Sequence, residues 1–546
     1  VILDWNPSTG AYWLRVGRGE ADVDRLIKEH GLDLSDTATT ASSAVLVTHE
    51  PYAAALFAPK YGTARAKANL AHLLRQIELS QTSVGTGHYP VPYDKELWGF
   101  QVADLDYIRP RTNTLVGDQP GLGKTEVAIV YANEIQAQRV LCIVPASIRV
   151  QWVERINQWT TLPWPYTIHQ IDNGTQGVNP HAHWTVVSYD LARTQGIGSA
   201  LAANHYDLLI LDEAHYLKGV DRARTQAIFG GGDAPLFAAI ASRADHIIAL
   251  TGTPLPNRPR EAYTLARGLC FESIDWVSED RFKERFNPSA QVSVQKMDPL
   301  TGKTKLVTYN DERSGRHWEL QARLRTNFMT RHLKREVMTQ LKMPVYDLIK
   351  LEPTGSCKMA LDKEQLLDID PETLKGRHAD IFGEMSTVRL EMGLAMAPGV
   401  AEHINMLIDG GEDKLVLFAW HIEVLNILEK RLAHHGVCRV MGAGDKAQKV
   451  KRFIKDPSKK IIMGNMMTLG IGTDDLQHIA WHALIAEPDW VAGNNVQAFD
   501  RLDRGGQTRT VQGDIFVVEG SVAERILATA LKKYQTTDKV LDRKIL

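Results

Sequence analysis

The chain has 546 residues, more than one hydrophobic core serves, and domains of about 100 to 200 residues predict three or four units. Its 63 Lys and Arg against 65 Asp and Glu leave a charge of −2, which excludes a globally basic nucleic-acid binder and confines any such contact to a local surface. No apolar run is long enough to cross a bilayer, no secretory pattern opens the chain, and four scattered cysteines without a CxxC pair argue against a zinc ribbon or disulfide framework.

The chain opens on Val1, so a start methionine or short leader is expected ahead of it. Residues 1–88 read as a small α+β accessory unit. Leu3 to Val16 predicts a hairpin around Asn6-Pro7-Ser8-Thr9-Gly10, Ala21 to His30 a helix, Ala44 to Thr48 a strand and Ala64 to Leu79 a helix. Strands then alternate with helices. Thr114 to Val116, Val140 to Val144, Thr185 to Ser188, Leu208 to Leu211 and His246 to Leu250 are short apolar runs, as in a parallel sheet covered on both faces. Residues 276–411 change rhythm, with a hairpin between Gln291 and Tyr309 and long helices over His317 to Leu341 and Pro371 to Met396. Strands resume at Lys414 to Phe418, Cys438 to Met441, Lys460 to Met463, His482 to Ala486 and Asp514 to Val518. The fold class is therefore α/β: a first lobe over 89–345 carrying a helical and hairpin insertion, a helical linker over 346–411 and a second lobe over 412–546.

Asp118-Gln119-Pro120-Gly121-Leu122-Gly123-Lys124-Thr125 follows an apolar strand and opens a helix. Gly121 and Gly123 let the backbone curl its N–H groups towards phosphates, and the helix start adds its positive end. Lys124 is expected to reach the β and γ phosphates of ATP, and Thr125 to bind Mg²⁺. The loop breaks the strict GxxxxGKT pattern at Asp118. Thr301-Gly302-Lys303-Thr304 lacks the upstream loop and reads as a hairpin turn. The strand Asp207 to Leu211 ends at Asp212-Glu213-Ala214-His215. After a phosphate loop, Asp212 is placed to hold Mg²⁺, Glu213 to deprotonate the attacking water, and His215 to reach Thr251-Gly252-Thr253. Near the other end, Arg501 and Arg504 stand at i, i+3, one turn apart on an expected helix. A solvated basic helix paired with Asp500 and Asp503 is the plain alternative.

Taken in order, these segments resemble superfamily 2 helicases, and within them the Swi/Snf-type DNA translocases. Gln101 in LWGFQ falls at the adenine-reading glutamine, and DQPGLGKT is similar to DExGLGKT, which also begins with Asp. Val144-Pro145-Ala146-Ser147 with Gln151-Trp152, Ser188-Tyr189, DEAH at Asp212 to His215, and LTGTP at Leu250 to Pro254 follow. Phe328-Met329-Thr330-Arg331 with Leu333-Lys334 and Val337 resembles the segment closing the first lobe, while Phe418 to His421, Gly470-Ile471-Gly472 and Trp490 preceding QAFDRLDRGGQ resemble second-lobe motifs. Departures are Gln119 and Pro120, Val491-Ala492 after Trp490, Gly505, and TLGIGTDD. They weaken the transfer of DNA contacts and leave each catalytic side chain present.

The resemblance implies two RecA-like lobes that bind ATP and Mg²⁺. Phosphate-loop residues Asp118 to Thr125 and Gln101 hold the nucleotide, and Thr125 and Asp212 hold the metal. Catalysis falls to Lys124, Asp212, Glu213, Arg501 and Arg504, and coupling to His215, Thr251, Gly252, Thr253 and Gln497. Ser147, Arg149, Ser188, Thr251, Thr468 and Trp490 are the expected contacts to double-stranded or forked DNA, although a core role for Trp490 is the common fate of a lone Trp. The chain is expected to be a monomeric DNA-dependent ATPase with no membrane association, in the cytoplasm of a bacterial or phage-infected cell, or the nucleus of a eukaryote. Annealing or fork remodelling is the leading use; the alternatives are a motor for chromatin-like complexes, a strand-separating helicase and a nucleotide-independent binding module. Asp4-Trp5, Ala11-Tyr12-Trp13 and Asn257 to Glu261 resemble the HARP-bearing annealing helicases, with an unrelated accessory domain equally open for residues 1–88.

Overall fold

The computed structural model describes the chain apart from residues 9, 18–35, 41–42, 50, 218, 232–238, 253, 256–258, 275–277, 298–303, 313–315, 339–343, 354, 367–378, 442, 470–474, 490–494, 496–497, 522, 525–526 and 528–546. At the N-terminus, Ile2–Asn6, Ala11–Gly17, Ser43–Thr48 and Asp36–Thr40 lie side by side in that order as an antiparallel sheet. Helices Pro51–Tyr61 and Ala64–Leu79 cover it, joining Leu3, Tyr12, Leu14, Phe57 and Leu70 in one small core. The expected hairpin, the strand near Ala44 and the helix from Ala64 are present; the expected helix Ala21 to His30 lies outside the described residues. Strand Asp36–Thr40 and helix Pro51–Tyr61 were not expected. One is polar but for Ala38, and the other lacks a polar stripe to reveal its period.

The first lobe is a seven-stranded parallel sheet in the order Met329–Thr330, Asn113–Val116, Ala244–Leu250, Tyr206–Asp212, Val140–Val144, Trp184–Ser188 and Ile168–Gln170. Val140–Val144 and Trp184–Ser188 are buried along their whole length, because helices cover both faces. The expected long helix over His317 to Leu341 is shorter. It runs His317–Asn327, and then Met329–Thr330 pairs with Leu115 and Val116, driven by the full burial of Phe328 and Met329. Strands Ser289–Met297 and Thr304–Glu312 pair antiparallel, and the turn expected at Thr301 to Lys303 lies outside the described residues.

The second lobe is a six-stranded parallel sheet ordered Val345–Leu351, Gln512–Val518, His482–Ile485, Leu415–Ala419, Ile461–Asn465 and Val437–Val440. Val345–Leu351 corrects the sequence reading, which put 346–411 in a helical linker. This strand pairs along its whole length with Gln512–Val518. Of the helix expected over Pro371 to Met396, residues 371–378 lie outside the described residues, and the described helix spans Ala379–Asp409. It continues through Pro398 because Met396, Ala397, Val400, Ala401 and Ile404 are buried against the second lobe, and burial outweighs the lost N–H bond. The α/β class, with two RecA-like sheets and a small antiparallel accessory sheet, agrees with the sequence reading. Among the described residues no helix is long and apolar enough to cross a membrane.

Candidate nucleotide site between the lobes

Strand Asn113–Val116 feeds a loop that ends where helix Lys124–Glu134 begins. Gly121 and Gly123 have φ of +87° and +75°, the left-handed region in which a side chain is strained. The turn thus presents the first N–H groups of the helix, a ready anion site. Lys124 Nζ donates to the carbonyls of Asp118 (2.7 Å) and Gln119 (3.3 Å), so it folds back on its own loop. Gln101 braces the loop from outside. Its Nε2 donates to Leu122 and Gly123 carbonyls, both at 3.3 Å, and its Oε1 accepts from Trp98 N at 2.9 Å. In this conformation its amide bonds the loop while the residue lines the cavity.

Asp118, the residue that breaks the generic pattern, is fully buried. Its Oδ1 accepts from His332 N at 2.7 Å and lies 3.1 Å from His332 Nδ1. His332 Nδ1 is also 3.2 Å from Asp104 Oδ1, and its Nε2 is 2.8 Å from the Thr82 carbonyl. Burial, then Asp118, pushes Asp104 up to about 7. Burial alone would lower His332, but Asp118 and Asp104 carry it well above its usual value. The triad thus ties the phosphate loop to the strand Met329–Thr330 that closes the sheet.

Strand Tyr206–Asp212 delivers the acid pair beside the loop. Asp212 Oδ2 accepts from Trp152 Nε1 at 2.7 Å, Oδ1 from Glu213 N at 2.8 Å, and its carbonyl from the Tyr189 hydroxyl at 2.8 Å. Burial, then the neighbouring Glu213, pushes the Asp212 carboxyl up to about 6. Burial would raise Glu213 too, but His215, Lys124 and Arg501 outweigh it and bring it down to about 2. Glu213 itself has a φ of +50°, unusual for a residue with a side chain. His215 Nδ1 stands 3.1 Å from Glu213 Oε2 and 3.0 Å from Thr251 Oγ1, linking the acid pair to the end of the next strand. Gly252 lies so close to Pro120 that a Cβ would stand 2.6 Å from Pro120 Cγ.

The second lobe completes the cleft. A cavity of about 400 Å³ is bounded by Gly121 to Thr125, Asp212 and Glu213 on one side and by Asp475, Gln477, Arg501 and Arg504 on the other. The expected helix under the arginines is a correction. Ala498 and Phe499 are helical, but Asp500 to Gly506 form turns, with Leu502 N bonded to the Phe499 carbonyl and Arg504 N to that of Leu502. Lys334 Nζ, from the first lobe, pairs with Asp500 of this segment and lies 3.1 Å from Asp503 Oδ2. Gly506, at φ +93°, turns the chain away.

The donor set fits a hard divalent cation. The hydroxyl of Thr125 and the carboxylate of Asp212 share the cavity, and a buried carboxylate beside a second one is a group that a cation would relieve.

Residues 64–380 match the SNF2-related domain. The chain belongs to the SNF2-related family. It is 25% identical over 454 residues to the mouse protein named DNA annealing helicase and endonuclease ZRANB3, covering 80% of this chain and 40% of that protein. It is 26% identical over 479 residues to a Xenopus tropicalis SWI/SNF-related matrix-associated actin-dependent regulator of chromatin, subfamily A-like protein 1, covering 85% and 46%. A probable global transactivator of Orgyia pseudotsugata multicapsid polyhedrosis virus is 25% identical over 471 residues, covering 80% and 88%. This SNF2-related chain thus spans less than half the length of the two animal proteins.

The expected DNA contacts of this SNF2-related chain are placed unevenly. Ser188 is 3% exposed and caps the helix Tyr189–Ala192 by accepting from Leu191 N, and Thr251 is fully buried against His215. Neither reaches the surface in this conformation. Arg149 donates to the Ile171 carbonyl and lies 3.4 Å from Asp172. Thr468 is half-buried on the short helix Met466–Leu469, and Ser147 is in the turn Ala146–Ile148, its side chain outside the described residues. Thr253, Trp490 and Gln497 also lie outside them. Trp152, which orients Asp212, and Lys334, which spans the lobes, received no role from sequence, although both stood in segments that carried the resemblance.

Proposed function

We propose that this SNF2-related chain is an ATP-driven motor on double-stranded DNA. The observation that carries the reading is one cavity holding Lys124, Asp212 and Glu213 from the first lobe with Arg501 and Arg504 from the second. ATP would draw Lys124 off its loop carbonyls onto the β and γ phosphates. Mg²⁺, held by Thr125 and Asp212, would neutralise charge on the phosphates. Glu213, kept ionised by His215 and Lys124, would accept the proton of the attacking water. Arg501 and Arg504 would stabilise charge on the transferring phosphoryl group. Loss of that group would release them, and each cycle would move one lobe relative to the other along the phosphate backbone.

Likeness to proteins named annealing helicase supports annealing or fork remodelling as its use. Likeness to a protein named regulator of chromatin favours, as a second reading, a motor acting on protein–DNA complexes. We assign residues 1–88 as a HARP-like accessory unit and the chain as a monomer. The test is ATPase activity with duplex, single-stranded and forked DNA and with RNA at fixed salt. Duplex or forked DNA should stimulate most, in a salt-sensitive way because the grip is to phosphates. Greater stimulation by RNA would overturn the DNA reading, and no activity with any of them would overturn the motor.

A further inference from the structure

Lys334 joins the two halves of the cleft without touching the cavity. It opens the short helix Lys334–Val337, immediately after the segment that closes the first sheet. Its backbone N donates to Gln119 Oε1 of the phosphate loop at 2.8 Å. Its ammonium, only 6% exposed as a residue, crosses to the second lobe and pairs with Asp500 and with Asp503 at 3.1 Å. Those carboxylates bracket Arg501 in the chain. The carbonyl of Asp500 accepts from Arg504 Nε at 2.8 Å. A continuous series of bonds therefore runs from Gln119 through Lys334 to the turn carrying both arginines.

A buried ammonium is costly unless paired, and a buried ion pair adds little net stability over an apolar replacement. What such a pair supplies best is registry. This one joins the two lobes with the turn set over the loop.

We propose that Lys334 is a positioning residue for ATP hydrolysis, setting the arginine turn in register with the phosphate loop through Gln119 and the Asp500–Asp503 pair. The proposal rests on the ATPase reading above. Methionine keeps the length of the side chain and removes its charge. K334M should lower kcat by about 10- to 100-fold, the loss expected when a catalytic group is displaced by about 1 Å. KM for ATP should stay within about threefold, because the first lobe alone holds the nucleotide. K334R should recover much of the turnover. D500N/D503N should lower kcat similarly and add little to K334M, since both remove one interaction.

Turnover of K334M equal to wild type overturns the proposal. So does a parallel fall in kcat and rise in KM with a lowered melting temperature and no recovery in K334R, which marks a merely structural role. Interlobe distances from paired spin labels read the same contact without hydrolysis. K334M should broaden the distribution in the nucleotide-free protein, and an unchanged distribution overturns the proposal. Inactivity of the wild-type chain with every nucleic acid would instead remove the ATPase reading, leaving the distance measurement to decide the role of Lys334 in closure.

Discussion

Arg504 of the second lobe closes over Gly121 of the first so tightly that a methyl group on Gly121 would stand 2.7 Å from Arg504 Cγ. Gly121 also has a φ of +87°, so alanine there meets both backbone strain and a collision. Gly121→Ala should lower kcat by about 100-fold by pushing the arginine turn off the loop. Wild-type turnover in that variant would mean the arginine does not approach the loop during the cycle.

Removing catalytic groups should separate binding from chemistry. Lys124→Ala should abolish turnover. Glu213→Gln should bind a fluorescent ATP analogue normally and hydrolyse ATP at least about 100-fold more slowly, the scale of a lost general base. Arg504→Ala should lose about 1000-fold in kcat with little change in nucleotide affinity, as for a group that acts on developing charge. Hydrolysis retained by Glu213→Gln would assign the base elsewhere.

Gln101 tests whether the amide braces or reads. As a brace on the Leu122 and Gly123 carbonyls, its loss should loosen the loop towards every nucleotide. Gln101→Ala should raise KM for ATP and for GTP by a similar factor, about tenfold for the roughly 1.4 kcal/mol of one or two lost bonds. A selective loss for ATP alone would show that the amide swings to the base when nucleotide enters.

The buried Asp104–Asp118–His332 triad makes stability depend on pH. Burial and Asp118 raise Asp104 from its ordinary 3.8 to about 7. The contribution of its proton is complete below the unfolded value and is lost progressively as pH rises through about 7, at roughly 1.4 kcal/mol per unit. His332, also raised, changes in the same direction above its ordinary 6.5. Asp104→Asn keeps the shape without the titration. Between pH 5 and 7 the wild type should lose about 2 to 3 kcal/mol relative to this variant in urea unfolding. Parallel curves would show that no proton is held there.

Truncation should distinguish the accessory sheet from the helix beneath it. The Ser80 carbonyl accepts from Arg331 N and Arg325 Nη1, both at 3.2 Å, and the Thr82 carbonyl sits against His332. Removing residues 1–62 should leave a folded ATPase. Removing 1–88 takes bonds from the buried Arg325 and His332, at a cost of several kcal/mol, and should yield insoluble protein. A soluble, active chain lacking 1–88 would show that the first lobe does not need the helix Ala64–Leu79.

The interior strands were legible because a strand covered on both faces must be apolar throughout, as Val140–Val144 is. Edge strands carry no such signature. Val345–Leu351 holds Asp347 and Lys350 and is largely exposed, and Met329–Thr330 is two residues long. The loop Asp118 to Thr125 and the acid pair Asp212–Glu213 could be singled out as candidates because each is contained within a few residues of sequence. Lys334 was not, because its partner Asp500 lies 166 residues away and only the packed lobes bring them together. The helix expected under Arg501 and Arg504 gave way to turns, which i, i+3 spacing alone does not distinguish.

Met338 is buried against Phe100 and Leu122 beside the cavity, and the second sheet begins at Val345. Six residues separate them in sequence, so even a fully extended leash reaches only about 25 Å. The two lobes are therefore pinned beside the cavity. If the chain is the motor proposed above, its fulcrum lies at the nucleotide, and a small rotation there would sweep the widest arc at the distant rims.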